Sequence, residues 1–369
     1  MGFLKGFGLQ KGAYGSTMLW DTVDMIVVGC DIPSMEKARI AVVGLGTIGQ
    51  TIHLPILSKF PDVEIVAVCD FDPAKAEFVS RKYEIPRWYT DLSELLKTEE
   101  DVVGIDICTS TFTHLDVAIA SLEAKKHILV EKPLARTYKE AAEIVNAAKK
   151  YGRKVMVGMN NRFRPDAMIL KSMIQGGELG KIYYAKAGWL KKLSTSNPWL
   201  TRKEKSGGGV VLDLGIVMFD LAFWMMGFPE PKEVVAANYS HNTRVVEDSS
   251  VVFLRMKNGT TMTIESSWSF ESNQDFFYCD CYGTEGSGSL NPFRILKRMH
   301  GNLVNVTPVS HETAQTLYWK SYDNELKSWI GSLRGLHPVI STGEESMDRM
   351  KIVDAIYQSA KKGKSITIK

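Results

Sequence analysis

In GGGVVLDLGIVMFD (207–220), a carboxylate, Asp213, interrupts an apolar run, and a second, Asp220, follows at helical spacing. An acid in that place either caps the helix that begins at Leu214 or works with a partner. Asp220 reads as structural or as a helix-surface acid. A candidate partner is Lys132, which ends the strand-like run of LVEKPLA (129–135). Ligands of open parallel sheets bind at the carboxyl ends of the strands. A lysine there points into a crevice, although a lone lysine at a strand end is usually a solvated charge. Pro133 fixes the exit of the chain and removes a backbone donor. Such an ammonium polarises a reacting oxygen and stabilises negative charge as it develops.

The second cluster is GLGTIG (44–49), a GxGxxG loop entered by a strand and left by a helix-like segment. Gly44 permits the tight turn, Gly46 lets a pyrophosphate approach the backbone, and Gly49 lets the helix pack on the strand. An anion then rests on the N-terminus of that helix. Gly44, Gly46, Thr47, Ile48 and Gly49 are therefore candidate cofactor contacts. Asp70 ends the next strand, where an acid binds the adenosine ribose hydroxyls and repels a 2′-phosphate. Phe71 stands where an arginine would favour NADP, so NAD is expected over NADP. Asp70 also has a plainer reading, as a cap or turn residue. Glu131, beside Lys132, is a further candidate cofactor contact.

These groups need a scaffold. Alternating segments run from ARIAVVG (38–44) to KVMVGMN (154–160), with helices such as DPAKAEFVSRKY (72–83) between the strands. That alternation predicts a parallel sheet covered by helices on both faces. After it come IYYAKAGWL (182–190), a buried helix over 214–227 and a hairpin turning at Asn258-Gly259. Strands in succession predict a second, α+β domain with a mostly antiparallel sheet. A helix at 344–363 closes the chain and is a candidate to pack back on the first domain. The expected division is an extension over 1–36, a nucleotide-binding Rossmann domain over 37–157 and a substrate-binding domain over 158–369.

The 369 residues suit about two domains. A formal charge of +3 with mixed signs gives no nucleic-acid surface. Five scattered cysteines argue against a disulfide framework and for reduced thiols in a cytoplasmic protein. No apolar run reads as a membrane span, and no metal-ligand spacing is present. Residues 1–36 weakly resemble a strip near the end of adenine deaminases but carry no histidine.

GLGTIG, ICTSTFTH (107–114), VEKPLA (130–135), NRFRP (161–165) and GGGVVLDLG (207–215), in this order, resemble the Gfo/Idh/MocA family, named for glucose–fructose oxidoreductase, inositol dehydrogenase and a rhizopine catabolism protein. The resemblance implies a Rossmann domain followed by an open-sheet domain, with substrate between the nicotinamide and that sheet. It implies homodimers or homotetramers joined through the sheet. It assigns Lys132 and Asp213 to catalysis, Thr109 to the nicotinamide ribose or phosphates, and Arg162 to the neighbourhood of substrate or cofactor. Trp199 is a candidate wall for a sugar, since aromatic faces suit the apolar faces of sugars. The loop KEKSGGG (203–209) is a candidate lid. His53 and His114 read more simply as packed helix residues.

Family members carry a histidine, or in some cases a tyrosine, four residues after the aspartate. Here that position is Val217, which cannot titrate. Three readings follow. Lys132 moves the proton itself, with its pKa lowered by a dry pocket and the cationic nicotinamide. Another side chain stands in, from among Tyr183, Tyr184, Tyr239, His241 and Tyr282. Or the chain binds NAD and a ligand without turnover. The function expected is hydride transfer between NAD and a secondary alcohol or ketone of a sugar, cyclitol or sugar derivative. The rivals are a sensor that has lost catalysis and an NAD-dependent glycosidase.

Overall fold

The computed structural model describes residues 36–192, 199–309 and 311–368. The extension read over 1–36 thus lies, but for Glu36, outside the described residues. The first sheet collects β-branched runs with almost no exposed side chains. Its strands are Ala38–Val43, Val63–Cys69, Arg87–Tyr89, Gly104–Ile107, His127–Val130 and Val155–Val157 (β1 to β6). The order is β3-β2-β1-β4-β5-β6, with every pair parallel. The strand order reverses between β1 and β4, so a crevice opens beyond their carboxyl ends. Helix starts follow the capping residues. The Asp72 carboxylate accepts the Lys75 N–H at 3.2 Å, and the Thr137 hydroxyl accepts that of Glu140, also at 3.2 Å.

The second sheet holds nine strands among the described residues: Ile182–Leu190, Pro231–Tyr239, Ser249–Met256, Thr261–Ser267, Phe276–Gly283, Gly286–Leu290, Arg294–Met299, Asn302–Asn305 and Ile366–Thr367 (β7 to β15). The order is β14-β13-β12-β11-β7-β10-β9-β8-β15. Only β7 and β10 run parallel in it. One face, with Ala185, Ala187, Cys279 and Cys281, is buried, and the helix Ile216–Met226 packs on β7 and β11. By length and composition alone 203–226 would pass for a membrane span, unlike the expectation from the sequence. In fact 83% of its most apolar window is buried inside the protein, as in a core helix.

The three glycines of KEKSGGG are packed rather than loose. A Cβ on Gly208 would land on the Tyr357 hydroxyl, and one on Gly209 on the Glu247 carbonyl. The lid reading fails here, because these glycines let the chain press against its neighbours. The helix they introduce is anchored by Glu247, whose Oε1 accepts from Gly209 N at 3.0 Å, Val211 N at 3.1 Å and the Tyr357 hydroxyl at 2.9 Å.

Two long helices lie between β14 and β15. Gly343–Lys362 packs against both Tyr138–Tyr151 and β8, thereby touching both sheets' layers. Ala314–Leu333, which the sequence reading did not single out, sends Leu326, Trp329 and Ile330 into the core beneath β1, with Ile40 and Leu54. The chain after the second sheet therefore returns to cover the first, and Lys37–Lys369 forms one compact unit.

Candidate active site

A cavity of about 750 Å³ lies at the crevice between β1 and β4. Gly44, Gly46, Thr47, Ile48, Asp70 and Thr109 line it. Gly44 turns with φ +94°, and a Cβ there would sit 2.6 Å from Thr109 N. A Cβ on Gly49 would meet the Gly44 carbonyl oxygen at 2.6 Å, so this glycine serves packing. Gly46 has open space where its Cβ would be, the side from which a ligand can approach the backbone. The Thr109 hydroxyl is buried and has no partner. An orphaned donor beside an open glycine face fits a phosphate-bearing cofactor. Asp70 is already engaged. Its Oδ2 accepts from Leu45 N at 2.8 Å, and its Oδ1 accepts from Asp72 N at 3.1 Å and Lys75 Nζ at 3.3 Å.

At the end of β5, Lys132 reaches across to the second domain. Its Nζ donates to Asp213 Oδ1 at 2.7 Å and to the Asp213 carbonyl at 3.2 Å. The other Asp213 oxygen, Oδ2, accepts from Trp268 Nε1 at 2.9 Å. Asp213 is therefore not a cap. It sits in a π-helical turn, Val211–Gly215, that opens the buried helix, a distortion common at functional sites. Burial works to lower the Lys132 pKa, but the charge and hydrogen bond of Asp213, with Glu131 behind, hold it above that of an ordinary lysine. Burial likewise works to raise Asp213, and Lys132 with Trp268 brings it below the usual carboxylate range. Within the chain itself, then, the Asp213 charge outweighs the lowering expected from a dry pocket. The pair is a locked ammonium–carboxylate.

Glu131 is turned inward, away from the cofactor cavity expected for it. Its Oε2 accepts the Lys132 N–H at 3.0 Å and its Oε1 lies 3.1 Å from His53 Nε2. The other ring nitrogen of His53 lies 2.8 Å from Asp106 Oδ2 and 3.3 Å from Cys108 Sγ. Both nitrogens face carboxylates, so both donate only when the ring is protonated. Burial works against that charge, yet Asp106 foremost raises the His53 pKa well above its ordinary value. His53, Asp106 and Cys108 place a nitrogen, an oxygen and a sulfur within 4.8 Å of one another, a set of metal-ligand types that spacing along the chain did not signal. Their mutual hydrogen bonds already satisfy them. His114 spans the two motif loops, with Nδ1 2.9 Å from the Pro133 carbonyl and Nε2 3.1 Å from that of Thr109. Burial depresses its pKa, so one nitrogen donates and the ring stays neutral.

Two expected substrate contacts fall elsewhere. Arg162 is buried: its guanidinium donates to Asp220 through Nε (2.6 Å) and Nη2, to Glu345 Oε2 at 2.5 Å and to the Ile340 carbonyl at 3.1 Å. Enclosed by these partners and with its guanidinium over the Phe228 ring, it has no donor left for a substrate. Asp220 is its buried partner. Trp199 lines the cofactor cavity beside Phe112 and Thr113 rather than a separate sugar wall.

Val217 is buried. None of the stand-ins named for it reaches Lys132. Tyr184 bonds Thr263 at 2.8 Å and stacks on Tyr282 at 5.6 Å, on the sheet face opposite the buried helix. Tyr183 is at the far end of β7 from the Trp268 end of β10. Tyr239 stacks on His241 at 5.7 Å, two strands away from β10. Sequence reasoning missed Tyr318, on the helix Ala314–Leu333. Its ring is 5.2 Å from that of Tyr322, and the Tyr322 ring is 6.1 Å from that of His53. The available signal was the i, i+4 pair of tyrosines leading into Leu326, Trp329 and Ile330 at helical spacing.

The model of an oxidoreductase family with an NAD-binding Rossmann fold matches residues 38–159, and the C-terminal domain of the same GFO/IDH/MocA family matches 168–289. The chain belongs to the GFO/IDH/MocA family. It is an oxidoreductase, and its cofactor is NAD. D-glucoside 3-dehydrogenase of Escherichia coli is 28% identical over 349 residues, covering 89% of this chain and 97% of that protein. Myo-inositol 2-dehydrogenase of Thermotoga maritima is 26% identical over 345 residues, covering 89% and 98%. The solved structure of levoglucosan dehydrogenase with NADH and levoglucosan superposes with a TM-score of 0.81 at 21% identity, over 90% of this chain and 100% of that one. As in other GFO/IDH/MocA proteins, a parallel six-stranded domain precedes a mostly antiparallel one.

Proposed function

We propose that this chain transfers a hydride between NAD and a secondary alcohol or ketone of a sugar, cyclitol or sugar derivative. Relatives named for a glucoside and for myo-inositol support a polyol substrate. The observation that carries the reading is the 2.7 Å contact of Lys132 with Asp213 across the two sheets, at the carboxyl end of β5. NAD, when bound, supplies the hydride acceptor or donor. Gly44, Gly46, Thr47, Ile48 and Thr109 would hold it, with Asp70 at the adenosine end. Lys132 donates a hydrogen bond to the reacting oxygen and stabilises the charge that develops there. Asp213 keeps Lys132 protonated and fixes its direction, while Trp268 fixes Asp213. Because Lys132 is held as an ammonium, its part is that of donor and electrostatic stabiliser.

A panel of polyols and sugars with NAD tests this, with NADH as the readout. Lys132→Met should cut turnover by about 10²–10³-fold and leave NADH affinity within about two-fold. A variant that keeps its rate would remove Lys132 from the reaction. We further propose that copies of the chain join through the outer face of the second sheet, where Val235, Val251 and Phe253 are exposed. Sedimentation showing a monomer at high concentration would discard that assembly.

A further inference from the structure

We propose that this chain takes NADP as well as NAD, and that Lys75 is the residue that admits it. The proposal rests on the cofactor cavity and not on the choice of substrate. Phe71 stands where an arginine would favour NADP, and on that ground the sequence puts NAD first. The fold supplies a cation one turn later. Lys75, in the first turn of the helix Pro73–Lys82, lines the cofactor cavity together with Asp70, Phe71 and Thr90. Among the described residues that line it, Asp70 and Lys75 carry the only charges, and the two cancel. The Lys75 ammonium lies 3.3 Å from Asp70 Oδ1 and 5.3 Å from the centre of the Phe71 ring.

A carboxylate has about four acceptor positions. Asp70 spends three of them, on Leu45 N, Asp72 N and Lys75 Nζ. One remains for the two ribose hydroxyls of NAD. The acid is thus a brace for the GLGTIG loop as much as a ribose ligand, and Lys75 meets its charge inside the protein. Lys75 gives one of its three N–H groups to Asp70, and among the described residues no other side chain or carbonyl accepts from it. Its side chain is 31% exposed against 5% for Asp70, so the cation is the accessible half of the pair. A phosphate on the ribose 2′-oxygen meets that ammonium and gains a charge-assisted hydrogen bond. Asp70, buried and already paired, repels it less than a free carboxylate would. With NAD the ammonium stays on Asp70, and the ribose takes the acceptor position that is left. One site then serves both cofactors.

Calorimetric titration of the full chain with NADH and with NADPH, without substrate, tests this. NADPH should bind within about 10-fold of NADH, and a wider gap overturns the proposal. Lys75→Met should shift the ratio of the two affinities toward NADH by about 10-fold or more, and Lys75→Arg should hold the ratio near wild type. If Lys75→Met changes both affinities by the same factor, Lys75 only braces Asp70 and the proposal fails. Raising salt from about 50 mM to about 500 mM should weaken NADPH more than NADH, since the additional contact is between charges; an equal loss counts against it. Because no substrate enters these titrations, a polyol and sugar panel without turnover would discard the hydride-transfer reading and leave this result untouched.

Discussion

Two ion pairs fasten ends of the first sheet to the same segment of the second domain. Lys132, after β5, meets Asp213; Arg162, after β6, meets Asp220. Both began as charged residues in recognisable motifs, and both stood as candidate site residues. Solvent separates them. The Arg162 and Asp220 side chains are 1% and 2% exposed, those of Lys132 and Asp213 28% and 21%. A guanidinium enclosed by Asp220, Glu345, a carbonyl and Phe228 has no face left for a ligand. An ammonium whose side chain is 28% exposed has one. Motif membership located both residues, and access decides which of them can do chemistry.

Exchanging the pairs one at a time gives opposite outcomes. The largest stability effect belongs to Arg162→Met, which strands Asp220 and Glu345 without their cation. Removing one partner of a buried pair costs about 3–5 kcal/mol. Urea midpoints should fall accordingly, while turnover per folded molecule stays near wild type. Lys132→Met should do the reverse, with a stability cost of about 1 kcal/mol because Asp213 keeps Trp268 and some access to water. If Arg162→Met also abolished turnover in fully folded protein, the contrast between the pairs would collapse.

The first domain was legible because its signals are local. GLGTIG needs only the strand before it and the helix after it, and Asp70 follows at a fixed distance. The substrate side was half legible. Lys132 and Asp213 each lie in a motif, but what binds Asp213 on its other oxygen, Trp268, comes from the end of β10 and carries no local mark. Arg162 was misplaced because a residue after a strand can point to the crevice or beneath it, and partners far along the chain make that choice. The helix Ala314–Leu333 went unread, and Tyr318 with it. Its first two turns are mostly exposed although they carry Leu317, Tyr318 and Trp319, so no single buried stripe marks the helix until Leu326, Trp329 and Ile330. The glycines before Asp213 looked like a hinge because composition does not show Tyr357 and Glu247 pressed against them.

The smallest effect concerns His53, which stands behind the Lys132 pair as Glu345 stands behind Arg162. Its pKa is raised in the folded protein, burial opposing and Asp106 with Cys108 favouring the charge. A group raised on folding contributes stability that is fully present below its unfolded pKa, near 6.5, and lost as pH rises through the folded value. Glu131 and Asp213 act oppositely: lowered on folding, they contribute above the unfolded carboxylate range and are lost as pH falls through their folded values. The wild type should thus lose stability on the alkaline side at up to about 1.4 kcal/mol per pH unit while His53 releases its proton. Urea unfolding from about pH 6 to about pH 10 measures this. His53→Gln should be less stable at the acidic end, and its deficit should shrink as pH rises, because the wild type is then losing the same charge. A deficit that stays constant across the range would mean that His53 is neutral in the folded protein. One of its two carboxylate contacts would then lack a donated proton, and the line of charges from Asp106 through Glu131 to the Lys132 backbone would be broken.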